Sequence, residues 1–342
     1  MHSTRKLPTI SDIAERAGVS IATVSRVLNG NTPVSEETAE RVRAAIDELQ
    51  FVPHTAARML ASRRTNTIGL LLSDISGEFF SPMLRGIEAA TREACFNLLI
   101  HTTDESHRTS HARPLLGEHN TDGLLVFTDS LEDAELVRLH KVGLPVVLMH
   151  QSVTELEIPT ITIENKDGAT RIVDHLIEVH KRRRIVYLRG PARHEDSVWR
   201  ERGYRESLEA HGLKVDPALI ADGNFDREVA EGAIRNLLSR GLDFDAVFCG
   251  DDETALGVFA ALQSSNRAIP ADVAVVGFDD VSFAPFLSPP LTTVRAPIEQ
   301  VGREAVKQLV RLIRGEQAEP LILLPTELVI RRSCGCDRIT DE

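Results

Sequence analysis

Thr9-Ile10-Ser11-Asp12-Ile13-Ala14-Glu15-Arg16-Ala17-Gly18-Val19-Ser20-Ile21-Ala22-Thr23-Val24-Ser25-Arg26-Val27-Leu28-Asn29 decides the first part of the fold. Ile10, Ile13, Ala14 and Ala17 recur at helical spacing, and Gly18 then offers the left-handed backbone that ends a helix. Ser20 is a good N-cap for a second helix, on which Val24, Val27 and Leu28 form an apolar face. Asn29-Gly30-Asn31-Thr32-Pro33 reads as a loop. Ser35 then caps a third helix over 36–50, whose first turn carries acids where the helix dipole favours them. Two short helices joined by a tight glycine turn form a helix-turn-helix pattern, whose second helix fits a DNA major groove. The exposed start of that helix would be Ser20, Ile21, Ala22, Ser25 and Arg26. Arg26 is the long donor there, while Ile21 and Ala22 could only meet thymine methyl groups or pack. The pattern alone also suits an ordinary three-helix packing unit.

Downstream the rhythm changes. Apolar runs at 68–72, 98–100, 123–127 and 145–149 alternate with helical stretches, and a second series follows at 184–188, 246–249 and 273–277. Continuous apolar strands separated by helices imply parallel sheets covered on both faces, here in two doubly wound subdomains. Residues 101–121 are rich in His, Ser and Thr and contain Pro114, so any helix there should be short or broken.

The chain has 342 residues, enough for two or three domains at roughly 100–200 residues each. Its net charge of −12 argues against nucleic acid until it is divided. Residues 1–64 carry nine Lys/Arg against seven Asp/Glu, and the remainder carries 30 against 44. The N-terminal part is thus the mildly basic part of an acidic chain. No apolar run approaches the ~18 residues of a membrane span, and the first residues lack a secretory signal. Four cysteines are too few for a disulfide framework, which leads to the expectation of a reducing cytoplasm. There is no G-x-x-x-x-G-K-[ST], G-x-G-x-x-G or H-E-x-x-H, and no nucleophile-elbow pattern. The reading is therefore of a protein that is not an enzyme, with no cofactor and no metal. Cys334-Gly335-Cys336 could chelate a metal, but no His or third Cys lies near it in sequence, so it reads as a tail with two thiols. His180-Lys181-Arg182-Arg183-Arg184 reads as a solvated turn.

The segments Thr9–Ala14, Ala17–Ser20 and Ala22–Asn29, continued by Val34–Thr38 and Leu49–Pro53, resemble the headpiece of the lactose/galactose-repressor (LacI/GalR) family. The resemblance runs on through 68–73 with Phe79-Phe80, then 122–125, Gly190-Pro191, 200–204, 246–252, 276–280 and 291–294. It implies an α plus α/β architecture: a three-helix helix-turn-helix headpiece (1–53), a hinge helix and linker (54–65), and a periplasmic-binding-protein-like core. Its two doubly wound parallel subdomains would be 66–160 with 294–320 and 161–293 with 321–333, followed by a tail at 334–342. It further implies that Ile21, Ala22 and Arg26 read bases, and that Ser11, Ser20, Thr23, Ser25, Asn29 and Thr38 hold the phosphates or groove edge. In the hinge, Ala57 would allow close helix pairing and Leu60 would wedge into the minor groove. A helix of about two turns is marginal alone, which suits a conditional element.

Ligands in open α/β sheets sit beyond the carboxyl ends of the strands. Asp74, Asp196, Arg200, Asp251 and Asp279 fall there. Arginine forks and carboxylates suit hydroxyl groups, and Phe80, Phe225 and Trp199 offer faces for an apolar sugar surface. Asp196-x-x-x-Arg200 resembles the galactose-repressor branch. The structural alternatives are helix caps for Asp251 and Asp279, an interdomain ion pair for Arg200, and packing for Trp199. The expected function is a homodimeric repressor of a pseudo-palindromic double-stranded operator, controlled by a small-molecule effector, a sugar or sugar derivative. The competing reading is a solute-binding protein or ligand sensor without a DNA role.

Overall fold

A computed structural model describes residues 8–29, 34–51, 64–73, 75–103, 116–117, 119–153 and 156–337. The chain forms two compact units, Met1–Thr65 and Asn66–Glu342.

The first unit contains helices α1 (Ile10–Ala17), α2 (Ile21–Asn29) and α3 (Glu36–Leu49). Thr9 and Asp12 form a reciprocal capping box at the start of α1. Gly18, at φ +66°, ends that helix and turns its N–H back to the carbonyls of Ala14 and Glu15. Ser20 Oγ accepts from the Thr23 N–H at 3.1 Å and caps α2. Ser35 stands at the N-cap of α3, but its hydroxyl donates to Thr38 Oγ1 at 2.8 Å rather than accepting from the helix backbone. Ile13, Val24 and Val42, one from each helix, are fully buried with Phe51 closing the core. Each such side chain contributes roughly 1.5–3 kcal/mol by leaving water.

The second unit begins with β1 (Thr67–Leu72), α4 (Phe80–Glu93), β2 (Asn97–Thr102), β3 (Gly123–Phe127), α5 (Asp133–Lys141), β4 (Val146–Met149) and β5 (Thr160–Ile163). It continues with α6 (Asn165–Glu178), β6 (Ile185–Arg189), α7 (Glu195–Ala210), β7 (Ile220–Asp222), α8 (Arg227–Ser239), β8 (Ala246–Cys249), α9 (Asp252–Ser264) and β9 (Ala274–Val276). Last come β10 (Thr293–Arg295), α10 (Ile298–Ile313), β11 (Leu321–Leu324) and β12 (Glu327–Val329).

The strands make a six-stranded parallel sheet in the order β11-β5-β4-β3-β1-β2 and a four-stranded parallel sheet in the order β7-β6-β8-β9. β10 and β12 pair antiparallel as a separate two-stranded sheet. The continuous apolar runs have the expected cause: β1, β3, β4 and β8 are buried at every residue. Helices α4 and α10 cross at two glycines. A methyl group on Gly86 would strike the Glu299 carbonyl, and one on Gly302 would lie 2.6 Å from the Met83 carbonyl.

Sheet pairing departs from the expected boundaries within this unit. β5 continues the parallel run beside β4, so the first crossover falls after Ile163 rather than at 160. β11, expected with the second subdomain, pairs with β5 in the first sheet. Residues 104–115 and the hinge segment 54–63 lie outside the described residues, so the expectations for the 101–121 stretch and for Ala57 and Leu60 gain no structural counterpart.

Candidate functional site

The solvent side of α2 is the first candidate. Ile21 is 50% exposed, and Ala22 and Arg26 are exposed beside it. A single exposed isoleucine is ordinary on a protein surface; at this helix start its side chain is free to meet thymine methyl groups in a groove. Ser11 is exposed, while Thr23, Ser25 and Thr38 are partly covered. Ser20 Oγ and Thr23 Oγ1 lie 2.9 Å apart, so these two hydroxyls form one pair at the N-terminus of α2, where backbone N–H groups favour a phosphate. Asn29 closes α2; its side chain lies outside the described atoms.

The second candidate lies between the two sheets. A cavity of about 520 Å³ opens where β1 and β3 of the first sheet face β6 and β8 of the second. Phe80, Asp196, Arg200, Phe225, Asp251 and Asp279 all line it. Asp74 lies outside the described residues, next to the lining residue Ser73. Trp199 does not line the cavity. It sits on the outer side of α7, donating Nε1–H to Glu195 at 3.1 Å with the Arg202 guanidinium over its ring.

The charged centre is built on Arg200. Its Nε donates to Asn165 Oδ1 at 2.8 Å, its Nη1 to the Gly250 carbonyl at 2.6 Å, and its Nη2 to Asp279 Oδ1 at 3.3 Å. The guanidinium lies 3.8 Å from the centre of the Phe278 ring. All these partners belong to the second sheet or to the start of α6, so Arg200 is not an ion pair between subdomains. The bridge runs instead through Asp196, which accepts from Asn165 Nδ2 at 2.7 Å and pairs with His150 Nδ1 at 2.7 Å. His150 follows β4 of the first sheet. Asp129 with His194, Ser152 with Glu195, and Glu78 with Ser282 add three more contacts across the cleft. His150 and Asn165 gave no sequence signal, because each acts only through a partner distant in the chain.

The carboxyl groups differ in state. Burial pushes Asp279 up to about 8; Arg200 pulls it down, while Asp251 and Asp196 push it further up. Burial also raises Asp251, although its Oδ1 accepts the Thr254 N–H at 2.9 Å and caps α9. The cap reading of Asp251 and its place in the cavity therefore coexist. Burial alone would raise Asp196 too, but His150 and Arg200 outweigh it and hold that carboxyl below its usual range. Burial holds His194 down against the pull of Asp129.

Aromatic walls flank this centre. Phe79, Phe80 and Phe127 pack edge to face or tilted at 5.4–6.0 Å on the first subdomain. Phe225 faces them from the second, in left-handed backbone at φ +58° and with its ring against Gly190. A methyl group at Gly190 would collide with that ring. The arrangement offers donors and acceptors at its centre and two apolar faces.

Comparison with known proteins agrees with both units. Residues 9–54 match bacterial regulatory proteins of the lacI family, and residues 173–334 match the periplasmic binding protein-like domain. The HTH-type transcriptional regulator CelR of Thermobifida fusca is 36% identical over 337 residues, covering 96% of this chain and 99% of the relative. The chain belongs to the lacI family. Family membership makes it a DNA-binding transcriptional regulator and not an enzyme. A solved complex of CelR with cellobiose is 35% identical with a TM-score of 0.71, covering 95% of this chain and 99% of that one. The lac repressor dimer bound to operator and the anti-inducer ONPF is 26% identical with a TM-score of 0.83, covering 96% and 99%. As in other lacI-family chains, a helix-turn-helix unit is followed by a core of parallel sheets. Among the described residues no helix is long and apolar enough to cross a membrane.

Proposed function

We propose that this lacI-family regulator is a homodimeric repressor acting in the cytoplasm, whose operator affinity is set by a neutral sugar or oligosaccharide held in the cleft. One observation carries the ligand class: four residues chosen for strand-end position and hydroxyl-binding chemistry line one cavity together with two phenylalanines chosen as apolar faces, which stand on opposite sides. Carboxyl groups and an arginine fork bind hydroxyls, and phenylalanine faces cover the apolar side of a pyranose. A volume of about 520 Å³ suits a sugar-sized ligand. The cellobiose complex of a relative supports the same class.

In this reading Asp196, Arg200, Asp251 and Asp279 fix hydroxyls, Phe80 and Phe225 stack, and Asp74 is assigned to the same hydroxyl-binding set. Ile21, Ala22 and Arg26 read base edges. Ser11, Ser20, Thr23, Ser25, Asn29 and Thr38 position the backbone, with Ala57 and Leu60 acting in the minor groove. Two headpieces meet successive half-sites of a pseudo-palindromic operator, since one short helix reads too few bases. The homodimer is supported by apolar residues left at the first sheet's edges, Leu99 and Ile100 on β2 and Leu321 and Leu323 on β11. Effector binding strengthens the contacts across the cleft and shifts the pairing of the marginal hinge helices. The coupling required is ordinary, about 1–3 kcal/mol or roughly 5–150-fold in affinity.

The test is a titration of purified protein onto labelled genomic fragments at a stated salt, with and without a sugar panel. Specific binding altered by one sugar supports the reading. Specific binding indifferent to every sugar rejects the effector class, and no specific binding at all leaves a ligand sensor without a DNA role.

A further inference from the structure

The Cys334-Gly335-Cys336 segment does not project as a loose tail. Cys334 is fully buried, and the C-terminal segment packs on the far end of α6. His175 in the last turn of α6 and His180 just beyond it meet these thiols. One ligand atom from each of His175, His180, Cys334 and Cys336 can be chosen so that all four lie within 4.8 Å of one another. Cys336 Sγ stands 3.3 Å from His180 Nε2 and 3.6 Å from His175 Nε2, and the two nitrogens are 3.2 Å apart. A tetrahedral zinc with bonds of about 2.0–2.1 Å to nitrogen and 2.3 Å to sulfur sets its ligand atoms roughly 3.3–3.8 Å apart. The three spacings among Cys336, His175 and His180 lie close to that range, and Cys334 completes the set within 4.8 Å.

We propose that His175, His180, Cys334 and Cys336 form a structural site for one divalent metal ion of the zinc class. Two thiolates and two imidazoles are a soft, four-ligand set that selects zinc over magnesium or calcium. His175-x4-His180 falls within the histidine spacing of known zinc sites, whereas Cys-x-Cys is shorter than usual. Gly335 explains how the short spacing fits. It adopts φ +115°, and a methyl group there would press on the His180 ring, 3.0 Å from Nδ1. Burial lowers both imidazoles, His175 to about 4, so each carries a lone pair at neutral pH. Burial and then Cys334 push the Cys336 thiol up to about 12. A divalent cation reverses that preference. Binding displaces two thiol protons to solvent, and the dication with two thiolates and two neutral imidazoles is a neutral centre.

The site braces the cleft from behind. Thr292 donates its hydroxyl to Cys334 Sγ at 3.1 Å, Arg331 N–H donates to Thr292 Oγ1 at 2.8 Å, and Arg331 Nη1 pairs with Asp280 at 2.7 Å. Asp280 follows the cleft residue Asp279. At its other end α6 presents Asn165, which holds Asp196 and Arg200. A metal would thus pin both the helix and the crossover that position the charged centre.

The full-length protein, purified without a histidine tag, should retain one equivalent of zinc per chain after dialysis. Cobalt in its place should give the intense visible absorption of a tetrahedral thiolate complex. His180→Ala and Cys336→Ala should lose that equivalent and that spectrum. Because a variant could fail to fold, Cys336 alkylation is mapped in the unmodified protein: zinc should slow it at least tenfold, and a chelator should restore it. Absence of stoichiometric zinc, an octahedral cobalt spectrum, equal labelling with and without zinc, or full retention by a folded variant would each overturn the site.

Discussion

Arg200 Nη2 stands 3.3 Å from Asp279 Oδ1, and both side chains are almost wholly out of solvent. The pair joins α7 to the crossover after β9 and forms the charged floor of the cleft. Its geometry is maintained by Asn165, the Gly250 carbonyl and the Phe278 ring.

Arg200→Ala removes the guanidinium from this floor and leaves Asn165, the Gly250 carbonyl and Asp279 without their donor. A buried acceptor left without its donor costs about 1–3 kcal/mol. The variant should lose stability of that order, and effector titration should no longer change operator affinity. Headpiece contacts are made by a separate core, so operator binding without effector should persist. A normal effector response in the folded variant would move the ligand elsewhere.

The state of Asp279 gives stability a direction in pH. With its folded value near 8, the native chain keeps a proton that the unfolded chain releases near pH 4. The resulting stability is complete below pH 4 and is lost as pH rises through 8, with a slope of at most about 1.4 kcal/mol per pH unit. Asp196 runs the other way, since its folded value is lowered; its contribution is lost only as pH falls through that acidic value. Asp279→Asn should therefore flatten the melting temperature between pH 5 and 8 without changing the acid limb. Parallel pH profiles for the two proteins would contradict this.

Much of this was legible in the chain, and the exceptions have physical reasons. The headpiece could be read because its caps and apolar spacing are local: Thr9 with Asp12, Gly18, and Ser20 with Thr23 all act within four residues. Strand-end position was enough to select Asp196, Arg200, Asp251 and Asp279. His150 and Asn165 were not legible, because a histidine and an asparagine acquire meaning only from Asp196 and Arg200 across the fold. Sheet pairing moved β11 into the first subdomain, since a short apolar strand carries no mark of its neighbour. Cys334 and Cys336 were read as bare thiols for the same reason, their histidines lying some 160 positions upstream.

Arg26→Ala tests the reading face of α2. Arg26 is exposed beside Ile21 and Ala22. Loss of a base contact should weaken the cognate operator by about 1–3 kcal/mol while changing random-sequence binding little. Equal losses on both DNAs, with a smaller salt slope, would reassign Arg26 to a phosphate.

Leu60→Ala tests the minor-groove wedge implied for the hinge. A wedge trades unstacking energy, a few kcal/mol per step, for a bent and better-wrapped duplex. The variant should bend operator less and bind it at least tenfold more weakly, with an unchanged melting temperature. An unaltered bend angle, measured by end-labelled fluorescence transfer, would remove Leu60 from the interface.

Gly190→Ala probes the aromatic wall without touching any polar group. The Phe225 ring occupies the space that a methyl group at Gly190 would need, and a methyl group at Gly250 would also lie only 3.3 Å from its edge, so the ring lies over both glycines at the ends of β6 and β8. Phe225 and its neighbour Asn224 already adopt positive φ, at +58° and +52°, which limits backbone relief. The ring must therefore tilt into the cavity. Overpacking of this kind costs about 1–3 kcal/mol, and here it should appear chiefly as lost effector affinity, because the displaced ring enters ligand space. Operator binding without effector should be unchanged. If effector affinity held while stability fell, Phe225 would be packing for the β6 end and not a wall of the site.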